Sequence, residues 1–427
     1  EADFLETICD TYFGDPCSTA APDDTAAPDD TDLVSLGLWD DGACDASLDT
    51  LKIGLQTVFA SPELSFGDNA AALDASAVAF NARGGANGHC IETITCDDEG
   101  DPNKALECVR DQIDAGVMIT INDATPAAAD EVSAGYRDAG IPRFALHSST
   151  PGDMTDLNSY PLEGGGIVST ILSNGGLINR GITKIAIVRV DIPAATALKS
   201  FYETVYAPQG VEYVADLPVP AGTTDYSQFI LAAQQAGAEG IVMPLGGQEA
   251  IQVLRAGRQL DADLQYVVSM GSIPQSGIVS LGDYTSRFLL SSPYLPALLD
   301  DPVVDVLTTD LAESGDSELQ RENLKVTPMR SWMGMYALLY TLRDQGVTEF
   351  TRASVLDAIE SSGEIPMLGL TPDWTPNAIN PGIWPRTGNG YMSYWTWDGS
   401  SGQYTFDSEA DFLETICDTY FGDPCSS

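Results

Sequence analysis

From residue 51 onward the chain alternates short apolar runs with longer segments of helical spacing, and it does so in two successive series. In the first series residues 51–57, 90–96, 117–121 and 143–146 read as strands, with helices at 68–82, 101–115 and 126–139 between them. After a polar interval the pattern restarts. Helices are expected at 164–179, 194–206, 226–236 and 248–259, and strands at 184–190, 211–215, 240–244, 265–270 and 288–292. Strict alternation means βαβ units and parallel sheets. Two series imply an α/β fold of two doubly wound parallel-sheet lobes joined by a hinge. The last third reads as helices at 303–312, 328–344 and 352–361, then aromatic strands at 391–397 and 404–406.

Hydrophobic residues make up 44% of the 427, enough for a full core, and no apolar run reaches the roughly 18 residues of a membrane-spanning helix. Nineteen basic residues face 63 acidic ones, a net charge of −44. That balance excludes nucleic acid and anionic membranes as partners. The acidity reads as a solubility coat, with adaptation to salt as a weaker alternative. The eight cysteines include no Cys-x-x-Cys, and only two histidines could help bind zinc. Disulfides, and with them an oxidising, extracytoplasmic compartment, are the better reading. No signal peptide is visible, so on an export reading residue 1 follows the processing site. Residues 19–32 repeat Thr-Ala-Ala-Pro-Asp-Asp and read as a solvated spacer of the kind that follows a surface anchor.

In an open parallel sheet, ligands bind beyond the carboxyl ends of the strands. Those positions hold Phe66, Asn122 to Thr125, His147 to Thr150, Asp191, and Leu245 to Glu249 with Gly246 and Gly247. Small hydroxyls and helix-start N–H groups suit a carboxylate or other small polar group, Glu249 suits an ammonium, and Phe66 offers an apolar wall. Each has a plainer role open to it: Ser, Thr and Asp as helix caps, a Gly-Gly turn, an acid complementing a helix dipole. Catalytic constellations are poor. Gly-x-Ser-x-Gly and the phosphate-loop pattern are absent. Asp97, Asp98, Glu99 and Asp101 match no calcium loop and read as an exposed acidic turn. No enzyme, metal or cofactor is expected.

Several motifs carry a resemblance. Lys52-Ile53-Gly54 opens a strand, and Phe66-Gly67 opens a helix ending Phe80-Asn81-Ala82-Arg83-Gly84-Gly85-Ala86-Asn87-Gly88. Cys96-Asp97-Asp98, Asp101-Pro102, Ala139-Gly140-Ile141-Pro142, Ser148-Ser149-Thr150 and Thr224-Asp225-Tyr226-Ser227 follow in order. Over residues 51–406 the chain resembles the branched-chain amino acid (Leu/Ile/Val)-binding family of ABC transporters, type I periplasmic-type solute-binding proteins. The resemblance implies two lobes linked by three crossings that close over a ligand. It implies Phe66 as aromatic wall, Thr125 as the hydroxyl-bearing loop after the third strand, Ser148 and Thr150 as the carboxylate grip, and Glu249 as the acid that pairs with the ammonium; Ser149 and Gly247 are expected to bind ligand beside them. Pro193-Ala194 stands where relatives often carry an aromatic-Gly pair, which removes one contact.

The expected divisions are 1–18 as a terminal segment, 19–43 as linker, 44–160 with about 293–365 as lobe 1, and 161–292 with about 366–407 as lobe 2. In this topology the first two strands are neighbours, so Cys44 pairs with Cys90, and Cys96 pairs with Cys108 on the following helix. Pairing Cys90 with Cys96 would span about 20 Å of one strand, beyond a disulfide's reach. The expected function is a solute receptor presenting a small polar solute, such as an amino acid or amide, to a membrane permease.

Residues 1–18 and 409–426 are identical. Each copy reads as a short amphipathic helix and turn closed by Cys9–Cys17 or Cys417–Cys425. One explanation is an artefactual duplication. The other is a joint between modules of an array or filament, which would make the chain a structural surface protein that self-assembles.

Overall fold

The computed structural model describes residues 32–59, 65–270, 273, 275–380, 384–411 and 415. The terminal copies, apart from 409–411 and 415, lie outside the described residues, as do both their cysteine pairs and the spacer through residue 31. The chain divides into Glu1–Leu38 and Trp39–Ser427. The described part of the former is a turn in which Leu38 N donates to Leu33 O at 2.9 Å. Every named element belongs to the latter.

The first series is β1 (Leu51–Thr57), α1 (Gly67–Ala82), β2 (Ile91–Asp97), α2 (Pro102–Ala115), β3 (Ile119–Ile121), α3 (Ala129–Asp138), β4 (Arg143–Phe144), α4 (Pro151–Thr155) and β5 (Ser159–Tyr160). Its strands are all parallel, in the order β2-β1-β3-β4-β5. Leu51, Ile53 and Leu55 are wholly buried, as a strand covered on both faces requires. Asp101 caps α2, its carboxylate accepting from Asn103 N and Lys104 N, and Pro102 takes the first helical position.

The second series is α5 (Gly165–Asn179), β6 (Lys184–Val190), α6 (Leu198–Tyr206), β7 (Glu212–Val219), α7 (Ser227–Gln235), β8 (Gly240–Val242), α8 (Gly247–Gln259), β9 (Gln265–Ser269), α9 (Gln275–Val279) and β10 (Phe288–Ser292). Then come α10 (Pro302–Ala312), α11 (Val326–Asp344) and α12 (Arg352–Glu360), and finally β11 (Tyr391–Asp398) and β12 (Gln403–Asp411). The second sheet runs β12-β11-β10-β9-β8-β6-β7, parallel except for the antiparallel β11 and β12.

Helices α10 to α12 return to the first sheet. α11 packs on α1 and β3 and is buried almost all round, including Trp332. Trp332 Nε1 donates to Asp310 Oδ2 at 2.7 Å, and Arg83 holds the same carboxylate in a bidentate pair at 2.6 Å. The chain therefore changes lobe at 161–164, 293–301 and 361–390. These crossings bond to one another: Asn389 N donates to Leu162 O at 3.0 Å, and Leu295 N to Leu370 O at 2.9 Å. Gly388, at φ +62, approaches so closely that a Cβ there would lie 2.3 Å from Pro161 O.

Some expectations shift. The helix expected at 126–139 begins at Ala129, after a loop opened by Asn122 at φ 60. The strand expected at 143–146 stops at Phe144 because Ala145, at φ 46, turns the chain. The helix expected at 194–206 opens with a 3₁₀ turn over Pro193–Ala197. The short α4 and β5 escaped notice because five-residue and two-residue elements carry no periodicity.

Disulfides Cys44–Cys90 and Cys96–Cys108 form as expected, with Cα separations of 5.1 and 5.7 Å. The first fastens a strap ahead of β1. Trp39 stacks on Tyr336 at 5.8 Å and lies 5.7 Å from Phe80, and the Arg343 guanidinium lies over its ring at 4.7 Å while pairing with Asp41. Cys44 N donates to Asn81 O at 2.8 Å.

Candidate functional site

Each sheet reverses its winding once. In the first, β2 lies on one side of β1 and β3 on the other; in the second, β7 and β8 flank β6. The loops after β1 and β3, and after β6 and β8, therefore stand at topological switch points, where open α/β sheets bind ligands. Phe66 and Thr125 occupy the first. Asp191, Gly247 and Glu249 occupy the second. Ser148, Ser149 and Thr150 follow β4, next to β3.

A fully buried ion cluster shapes the first lobe's loops. Arg143 at the start of β4 donates from Nη1 to Asp153 Oδ1 at 2.7 Å and to Ser133 Oγ at 2.5 Å. Its Nε reaches Asp123 Oδ2 at 3.3 Å, and its Nη2 donates to Thr125 Oγ1 at 3.0 Å. Asp123 also accepts from Gln56 N at 2.9 Å and Thr120 Oγ1 at 2.5 Å. Burial works against the arginine's charge, but the Asp153 and Asp123 carboxylates outweigh it and hold its pKa above the usual range. Burial pushes Asp123 upward, with Arg143 opposing.

The loop after β4 is drawn onto this cluster. Ser149 N and Thr150 N donate to Asp153 Oδ2 at 2.9 and 3.1 Å, and Thr150 Oγ1 accepts from Asp153 N, completing a capping box for α4. Thr125 and Ser148 are wholly buried, and the Ser148 hydroxyl is without a partner among the described residues. Ser148 O accepts from Gly166 N at 3.0 Å, joining the loop to the start of α5 in the other lobe.

Beside that joint lies a second buried pair. Glu163, in the first crossing, meets the Arg330 guanidinium of α11 through Oε1 and accepts from Gly165 N at 2.6 Å through Oε2. Arg330 also donates to Asn122 Oδ1 at 2.9 Å and to Tyr294 OH, in the second crossing, at 3.1 Å. His147 Nδ1 stands 3.5 Å from Glu163 Oε1, and its ring packs 5.9 Å from that of Phe66. Burial of Glu163 raises its pKa, but Arg330, His147 and the Gly165 N–H prevail and bring it down to about 2.

In the second lobe the N-cap of α8 is Gly246, with no side-chain cap. Glu249 is exposed, and its Oε2 lies 2.6 Å from where a Cβ on Gly246 would stand. Burial pushes the nearby Tyr226 phenol up, and the charge of Glu249 adds to it. Asp191 is exposed at the end of β6.

The acids at 97–101 serve the backbone. Asp97 Oδ1 accepts from Phe59 N at 3.0 Å and Glu99 N at 2.9 Å, and Asp98 Oδ1 from Gly100 N at 2.9 Å. No cluster of metal-ligating residues occurs among the described residues, and no described helix is long and apolar enough to cross a membrane.

Sequence reasoning passed over Arg143, Asp153, Glu163 and Arg330. Two signals were legible. Arg143 is a charge inside an otherwise apolar strand run, which burial forces into a pair. Asp153 stands three residues after Thr150, the spacing of a capping box.

A family model described as "Periplasmic binding protein" matches residues 50–381. The Leu/Ile/Val-binding protein homolog 7 of Brucella suis is 27% identical over 219 residues, 47% of this chain and 53% of that protein. The chain thus spans about half the length of the curated relatives it matches. A branched chain amino acid ABC transporter protein from Thermus thermophilus, solved with bound valine, aligns with a TM-score of 0.70 at 16% identity, covering 86% of this chain and 98% of that one. A fatty acid ABC transporter substrate-binding protein from Thermomonospora curvata aligns with a TM-score of 0.70 at 15% identity, covering 89% and 98%. A Rhodopseudomonas palustris solute-binding protein in complex with 4-hydroxybenzoate gives 0.66 at 15% identity, covering 85% and 96%.

Proposed function

Because this chain belongs to the periplasmic binding protein family, we propose that it is the extracytoplasmic solute receptor of an ABC-type importer. It takes a small polar solute between its lobes and presents it to a membrane permease; it binds rather than catalyses. What carries the reading is the family match over residues 50–381, together with two sheets that each bring a switch point to their strand-end loops. The proposed lining is Phe66, Thr125, Ser148, Ser149 and Thr150 from the first lobe and Gly247 and Glu249 from the second. The proposed lobes are 44–160 with about 293–365, and 161–292 with about 366–407. The two disulfides favour an oxidising compartment.

A thermal-shift panel of amino acids, amides, amines and aromatic and aliphatic acids tests the reading. A true ligand at about 100 times its dissociation constant stabilises the fold by about 2.7 kcal/mol. A flat response across all those classes would count against a receptor role.

A further inference from the structure

Three donors of the expected carboxylate grip are already engaged by the chain's own Asp153, and the Thr125 and Ser148 hydroxyls are wholly buried, the latter without a partner among the described residues. In the first lobe Ser149 N and Thr150 N both point at Asp153 Oδ2, at 2.9 and 3.1 Å, and the Thr150 hydroxyl belongs to the same capping box. The Thr125 hydroxyl accepts from Arg143, whose other donors go to Asp153, Ser133 and Asp123. Asp153 and Arg143 are completely buried, so this arrangement is part of the core and not a loose surface contact. In the second lobe Glu249 Oε2 overlies Gly246 at the start of α8, 2.6 Å from a Cβ position there. An incoming carboxylate would have to displace Asp153 from two N–H groups and a buried guanidinium, and would meet Glu249 as a like charge.

A cation meets the opposite situation. Glu249 is exposed and makes no hydrogen bond among the described residues, and Asp191 is exposed on the adjoining strand end of the same switch point. Phe66 is half-buried at the other switch point with the His147 ring beside it, a face of the kind that stabilises an ammonium. The net charge of −44 raises the local concentration of cations.

We infer that the cleft takes a small organic cation, an amine without a carboxylate, in preference to an α-amino acid. The inference rests on the receptor reading above and narrows its solute class. Phe66 and Glu249 contact the ammonium, and the Arg143–Asp153 pair acts as a positioning element that closes the carboxylate grip.

Calorimetric titration of the full chain with matched pairs tests this: leucine against isopentylamine, phenylalanine against phenethylamine, and isobutyramide as a neutral comparison. The expected result is saturable binding of one amine per chain, at least roughly tenfold tighter than the matching amino acid. Glu249→Gln should weaken the amine by roughly tenfold or more, the loss of a charge-assisted hydrogen bond, and leave the amide unchanged. An amino acid or the amide binding as tightly as the amine, or amine affinity that survives Glu249→Gln, overturns the inference and leaves the receptor reading standing. Saturable binding of a carboxylate from the wider panel does the same. No binding by any class overturns both.

Discussion

Asp153 shows how much one buried side chain can decide. It neutralises Arg143, caps α4 and holds two loop N–H groups, all with no exposure to water. Asp153→Asn leaves a buried guanidinium undercompensated, and urea unfolding should register a loss of about 3–5 kcal/mol. A variant within about 1 kcal/mol of the parent would show that the cluster is not held as described. Glu163 makes a complementary prediction about pH. Its carboxyl is ordinarily near 4.5 and in the fold near 2, so the stability it lends is complete above about pH 4.5 and is lost as pH falls toward 2. The shift corresponds to about 3 kcal/mol. Glu163→Gln should start from a lower stability and flatten the acid limb over that interval; an unchanged limb would assign the acid sensitivity to other groups. Neither acid was read as a site residue, although the spacing of Asp153 from Thr150 marked it as a capping partner. Periodicity reports which faces are apolar, whereas the partners of Asp153 and Glu163 are set by where separate strands and crossings meet.

Elements with strong local signals came through in the sequence. β1 was bounded correctly because an apolar run between turn residues leaves little choice, and α2 because Asp101 and Pro102 mark its start. The strand ends were less legible: Ala145 takes a left-handed conformation that alanine does not announce, and Asn122 one that asparagine favours without fixing. Cys44–Cys90 followed from which strands are neighbours, and Cys96–Cys108 from a strand end and the helix after it. Cys44 and Cys90 close a span of 46 residues, and Cys96 and Cys108 a span of 12. On chain-entropy grounds these are worth about 4 and about 3 kcal/mol. Cys44→Ala with Cys90→Ala should therefore lower the unfolding midpoint more than Cys96→Ala with Cys108→Ala. The reverse order would mean that local packing around α2, rather than loop closure, sets their contribution.

For the molecule as a whole, two lobes were legible because the strand–helix alternation restarts, and the family because motifs from Lys52 to Ser227 resemble it. The bonded meeting of three crossings around Glu163, Arg330 and Tyr294 was not, since it joins residues from 161 to 389. A net charge of −44 acts at this scale too. Self-repulsion reaches about 30 Å at about 0.01 M salt and only about 3 Å at about 1 M. The melting temperature should climb across that range with an inert salt such as sodium chloride; a flat or falling curve would mean that carboxylate repulsion is not a significant cost to this fold. The strap at Trp39 has a mechanical consequence. Packed against Tyr336 and Arg343 of α11 and fastened at Cys44–Cys90, it is tied to the first lobe. A pull arriving at Trp39 would therefore load α11 and the start of β2, leaving the strands from β6 to β10 unstressed.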